Sequence, residues 1–231
     1  MNGILKKILT WFVLPVIIIV LVVVIVNSIM QPVNFNKQTA YRESVAIQRL
    51  KDIRELEAAY KTVNNKFTAS VDTLKKFYEE GQINVIMQIG SSDDSLAVAH
   101  TEKVKAANKK ITPAELYKKY LAGDTQLVFA VENKVPVKDT LFNNRPDFCI
   151  DSLYTIPFSG GEPVIMADTV KMVSGVPVPL FEAKMPYKKL LKGLDNQLRI
   201  NLDAAKKAQN RYEGLQVGSI EAPNNNAGNW E

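Results

Sequence analysis

From Ile8 to Met30 the chain carries no charged residue, and its centre, Val16 to Val26, is an unbroken run of Val, Ile and Leu. No other feature limits the fold so strongly. A backbone that enters hydrocarbon must satisfy its polar groups internally, and a single segment can do that only as a helix. At 1.5 Å per residue, about 20 residues cross a hydrocarbon layer of roughly 30 Å, so 8–30 is long enough to span. A cleavable signal has an apolar region of roughly 7 to 15 residues and a small-residue cleavage site. Here the run is longer and ends in Asn27-Ser28-Ile29-Met30-Gln31-Pro32, which predicts a retained anchor. Trp11 and Phe12 stand where interfacial aromatics belong, and Pro15 falls early enough to bend the first turn without breaking the span. Lys6 and Lys7 precede the span, whereas Lys37, Arg42 and Arg49 come after it. The basic head at 1–7 favours an N-terminus in the cytoplasm and a translocated remainder.

With 231 residues, the chain has enough left beyond the anchor for one ordinary domain, expected at 64–222, followed by a patternless tail at 223–231. Lys6 and Lys7 aside, 27 basic residues face 24 acidic ones, so the sequence pI of about 9.1 overstates the basicity of the soluble part. Acids interleave with bases throughout, and nucleic-acid binding is not expected. Cys149, the single cysteine, excludes an intramolecular disulfide and sits in the apolar run Phe148-Cys149-Ile150, which predicts a buried thiol. His100, the single histidine, lies beside Thr101 and Glu102 and reads as a solvated loop residue. No cofactor or metal is expected.

Gln31-Pro32 predicts a hinge, and 31–63 is read as hinge plus amphipathic helix. Ala46, Leu50, Ile53, Leu56, Ala59, Tyr60 and Val63 recur at helical spacing, with Arg42, Glu43, Arg49, Lys51, Asp52 and Arg54 among the other positions. Asn64-Asn65 ends that helix, and Ser70 or Asp72 caps a short one reaching Gly81. A strand over Ile83–Ile89 and the polar turn Gly90–Ser95 come next. That turn lacks calcium-loop spacing. Residues 96–110 are weakly helical or irregular, and Thr112-Pro113-Ala114-Glu115 starts a helix ending at Gly123. Strands are expected at Gln126–Glu132, Val135–Phe142, Phe148–Pro157, Val164–Met172 and Val176–Lys184, as an antiparallel meander. A helical turn at Pro186–Leu194, a strand at Gln197–Leu202, a helix at Asp203–Asn210 capped by Asp203 and a last strand at Leu215–Ile220 complete the reading. The fold class is thus α+β: a transmembrane helix and an amphipathic stalk helix, then a mainly antiparallel β domain with short helices.

No phosphate-binding glycine loop, nucleophile elbow or metal-binding helix motif occurs, and a non-enzymatic protein is expected. The segment Ala46–Leu74 resembles type IV pilins and the pseudopilins of type II secretion, through Leu50, Ile53, Leu56, Tyr60, Asn65, Phe67 and Leu74. That resemblance implies a long N-terminal helix, a turn, a short helix and a C-terminal antiparallel sheet. It also implies a place in the bacterial inner membrane with the domain in the periplasm. The leader departs from those families: Gly3 is followed by Ile4-Leu5-Lys6-Lys7, and no carboxylate enters the span. The likeness therefore concerns layout rather than prepilin processing.

The function expected is a single-pass envelope protein that is a structural or assembly component of a secretion, motility or surface-assembly machine. Its partners would be the lipid bilayer and other envelope proteins, with a homo-oligomer through the stalk helix as one form. Leu50, Ile53, Tyr60 and Trp230 are the candidate partner-facing residues. The alternative is a tethered binding module for a glycan, peptide or lipid that uses Phe142, Phe148, Tyr154, Phe158 and Phe181.

Overall fold

Residues 9–146 and 148–231 are described by a computed structural model, and the expected head at 1–7 lies outside them. A π-helical turn, Leu9–Val13, leads into α1, Leu14–Asn64, a helix of 51 residues. Every side chain from Trp11 to Met30 is exposed. A single apolar helix of this length near the N-terminus is compatible with a membrane anchor.

The hinge expected at Gln31-Pro32 is absent, because α1 runs through Pro32 without a break. Proline removes one helical hydrogen bond and costs about 3 kcal/mol in a helix interior. One lost bond does not outweigh long helical flanks, the later of which is pinned from Gln31 onward by its contacts with residues 152–231.

The described residues form two compact units: one comprises the chain up to Glu55 together with Asp151–Glu231, and the other is Leu56–Ile150. In the second unit α1 ends at Asn65, in the left-handed region (φ 58°). The Ser70 hydroxyl accepts from the Thr73 N–H and caps α2, Val71–Glu80. Phe77 of α2 meets Tyr60 edge-on, with ring centroids 5.2 Å apart. β1, Gln82–Ile89, comes next. At Gly90 (φ 73°) the Leu127 carbonyl oxygen lies 2.6 Å from where a Cβ would stand, so only glycine fits this turn. The Asp94 carboxylate accepts from the N–H groups of Leu96 and Ala97 and starts α3, Ser95–Ala107. This cap makes a full helix of the segment expected to be weakly helical or irregular. The Thr112–Glu115 capping box with Pro113 starts α4, Pro113–Leu121. β2, Phe129–Pro136, then pairs antiparallel with β1, from Ile89 opposite Phe129 to Gln82 opposite Pro136. Pro136 has no N–H to continue the ladder, and the chain turns into α5, Val137–Thr140, where a strand to Phe142 was expected. Ile89, Leu116, Leu127, Phe129 and Val131 form the core here.

The first unit begins its C-terminal part at α6, Ile150–Leu153, a helical turn in place of the strand expected over Phe148–Pro157. The carbonyls of Ser152 and Thr155 accept from Arg49 instead of a strand partner. β3, Ile165–Val173, and β4, Val176–Pro186, form a hairpin; α7, Tyr187–Leu190, and α8, Asn196–Ala208, come after it; β5, Gly214–Gly218, pairs antiparallel with β4. Two separate sheets, β1-β2 and β3-β4-β5, replace the single meander. The strand expected at Gln197–Leu202 is part of α8. Leu198, Ile200 and Leu202 alternate as a strand would, but Leu198 and Leu202 also share one helix face, and Arg199 pairs with Asp203 one turn on. Asp195, not Asp203, is the cap, accepting from the Leu198 N–H at 2.9 Å.

Leu50 is fully buried on α1, whereas its neighbour Lys51 is exposed. Leu50→Ala is expected to cost about 2–5 kcal/mol, and Lys51→Ala to stay within about 0.5 kcal/mol. Denaturant unfolding in detergent micelles, monitored by circular dichroism, measures both.

Candidate functional site

Between Gln31 and Arg54, α1 turns one face to the rest of its unit. Phe35, Thr39, Ala46, Leu50 and Ile53 are buried, and at 100° per residue they form one stripe. Polar side chains flank it. Gln31 donates to the Asp195 carboxylate at 2.6 Å. Arg42 donates to the carbonyls of Leu190 (3.0 Å) and Lys192 (2.9 Å). Arg49 donates to the carbonyls of Ser152 (2.9 Å) and Thr155 (2.6 Å). On the other flank Glu43 accepts from the Tyr187 hydroxyl at 2.5 Å, and Arg54 pairs with Glu231 at 2.7 Å. Burial, then the Glu43 hydrogen bond and charge, push the Tyr187 hydroxyl far above its ordinary range. Its proton stays in place to donate.

These contacts correct the expected partner-facing set. Leu50 and Ile53 are completely buried by the chain itself, and Tyr60 is buried in the second unit against Phe77. None of the three is on offer to a partner. The stripe that suggested an oligomer is the stripe that holds the fold. The outward face of the same helix is mainly polar, with Lys37, Ser44, Gln48, Lys51 and Glu55 exposed, and Val33 and Tyr41 are exceptions.

Nor do the five aromatics of the alternative reading form a platform. Tyr154 and Phe181 are buried. In the second unit Phe142 and Phe148 stack on each other at 4.1 Å, with the Arg145 guanidinium within 6 Å of both rings. Phe158 alone is exposed, and Arg42 sits over it at 4.9 Å.

The cleft with converging polar groups is elsewhere. The tail, expected to be patternless, docks on β5: the Gly218 N–H donates to Ala227, and the Asn229 N–H donates to Gln216. Asn225 and Asn226 take the left-handed conformation (φ 54° and 56°) that turns the chain back. Between this return and β5 lies a cleft of about 320 Å³, lined by Asn210, Arg211, Tyr212, Gln216, Asn224 and Asn229 among others. Burial, reinforced by the charges of Glu182 and Glu213, pushes the Tyr212 hydroxyl up to about 12. It is thus a neutral donor and acceptor at any physiological pH. The cleft offers amides, a phenol and a guanidinium, which suits a polar neutral or anionic group, and no carboxylate lines it. A second, more apolar hollow of about 370 Å³, lined by Ile86, Pro113 and Val131 among others, lacks such groups. The sequence signal for the first cleft was the density of Asn between 224 and 229, residues that favour left-handed turns.

Compared with protein families, with curated proteins and with solved structures, the chain matches none. Its chemistry rests on its own residues. No group of three or more His, Cys, Asp or Glu that could hold a metal occurs among the described residues. His100, expected in a loop, lies on α3 and contacts the Asp124 carboxylate at 3.0 Å. Cys149, expected to be buried, is exposed, because the strand that would have buried it does not form.

Trp230 is half-buried, with its indole packed where a Cβ on Gly228 would stand. In a Trp11→Phe background, Gly228→Ala should displace the indole, shift its fluorescence to the red and cost about 1–3 kcal/mol. Acid sensitivity gives a second expectation. The N–H of Leu198, with help from Gln31, holds the Asp195 carboxyl below its ordinary 3.8, and Arg54 holds the Glu231 carboxyl below 4.5. Both contributions are present above those ordinary values and vanish as pH falls below them. Melting temperature should fall as the pH drops below about 4, and less steeply in Asp195→Asn and Glu231→Gln.

Proposed function

We propose that the chain is a non-catalytic, single-pass membrane protein of the bacterial cell envelope, pilin-like in layout, that serves as a structural or assembly component of a multiprotein machine. One observation carries this reading: a single unbroken helix is bare and apolar from Trp11 to Met30 and packs one face, from Phe35 to Ile53, on an antiparallel α+β unit. A hinge would have argued for a loosely tethered domain, and its absence favours a rigid subunit whose membrane helix and domain move together. The apolar half then has lipid or another span as neighbour. The flanking charges favour an N-terminus in the cytoplasm and a periplasmic domain.

The test places photo-crosslinking residues at Ile18, Tyr41 and Gln48 in intact cells, with Leu50 as a buried control. Detergent-dependent extraction and discrete crosslinked species containing another envelope protein, at Ile18 or Tyr41, are expected. Monomer alone at all three exposed positions, with nothing copurifying in mild detergent, would remove the basis of the assembly reading.

The amide-lined cleft favours a second reading, a tethered module for a small polar ligand such as a glycan. Arg211→Ala and Tyr212→Phe would then abolish retention on a glycan array while leaving the crosslinks unchanged.

A further inference from the structure

The place where the first unit docks on α1 fixes its height above the bilayer. Gln31, hydrogen-bonded to Asp195 at 2.6 Å, is the residue after the apolar run ends at Met30. The next charged residue on α1 is Lys37. One residue of helix is about 1.5 Å, and the headgroup layer on each face of a bilayer is about 5–8 Å deep. Asp195, tied to Gln31, therefore falls inside that layer when the apolar run occupies the hydrocarbon.

A second tie sets the direction of α8. Tyr187 bonds to Glu43, twelve positions further along α1, and its N–H donates to the carbonyl of Glu213, whose carboxylate lies 3.9 Å from Lys207 of α8. Asp195 at the level of Gln31 and Lys207 near the level of Glu43 make α8 climb away from the membrane alongside α1. The first turn of α8 is its lowest point. Asp195 is half-buried there, whereas Asn196 and Gln197 are exposed; Lys192 lies higher, its carbonyl held by Arg42 and its amine by the Ser159 carbonyl. This lowest edge is polar, with two amides that suit phosphate and ester oxygens.

We propose that the first unit is seated directly on the lipid surface, with the Asp195–Gln197 turn in contact with the headgroups of the bilayer that α1 enters. The unit is not held off on a stalk. This rests on the membrane-anchor reading, and the experiment separates the two. The full chain in a Cys149→Ser background receives one dye-labelled cysteine, at Val20, at Gln197 or at Lys207, an exposed position near the other end of α8. Each variant is reconstituted into phosphatidylcholine vesicles carrying a quencher either on the headgroup or mid-chain. Circular dichroism checks that each variant keeps its fold.

Mid-chain quenching is expected at Val20, and headgroup quenching several-fold stronger at Gln197 than at Lys207. Quenching at Val20 with equal, weak headgroup quenching at Gln197 and Lys207 would overturn the seating while leaving the anchor in place. Absence of quenching at Val20 would overturn the anchor reading and the seating with it. Strong headgroup quenching at Lys207 and none at Gln197 would reverse the direction of α8 and also overturn the proposal.

Discussion

Along one side of α1, five buried residues from Phe35 to Ile53 run between rows of side chains that reach carbonyls and carboxylates of residues 152–231. Arg42 gathers the carbonyl oxygens of Leu190 and Lys192, and Arg49 those of Ser152 and Thr155. Charged donors to such acceptors contribute about 1.5–3 kcal/mol each. The irregular course of 150–163, the placement of α7 and the start of α8 all depend on where those side chains reach. The helix is the template on which the C-terminal third is laid.

Much of this was legible residue by residue, and the failures have a common cause. The helices announced by caps formed where expected: Ser70, the Thr112–Glu115 box and the Asn65 stop are local signals, readable without the rest of the chain. Misreadings arose where a short segment fits two periods or where distant side chains decide. Leu198, Ile200 and Leu202 alternate as a strand would, yet Leu198 and Leu202 also fit one helix face, and the Asp195 cap decided between the two. Phe148–Pro157 is rich in strand formers, yet Arg49, more than a hundred residues earlier, takes its carbonyls. The hinge at Pro32 was inferred from a residue that weakens a helix locally, whereas continuity was decided by the packing beyond it. For the candidate site the lesson is similar. Periodicity found the stripe through Leu50 and Ile53 but could not say whose surface covers it. The cleft beside β5 depended on the Asn-rich return of the tail, which has no period at all.

The division into units explains why the middle of the chain gives so few clues to function. Residues 56–150 bury their own core around Leu116, Leu127 and Phe129, and they hold the single histidine and the single cysteine on exposed or half-exposed ground. The first unit carries the polar turn at 195–197 and the amide-lined cleft. A scaffold role accommodates both.

The discontinuous make-up of the first unit also sets a clock. Arg54 and its partner Glu231 are 177 residues apart in sequence, and at roughly 5–20 residues per second a ribosome needs about 10–35 seconds to travel between them. During that interval α1 is already made while residues 151–231, which complete its unit, are still to come, and the 56–150 unit, contiguous in sequence, can close. The growing chain therefore passes through a stage in which the apolar stripe through Leu50 and Ile53 waits for the rest of its unit, and its yield in a cell depends on what shields that stripe until the last strand arrives.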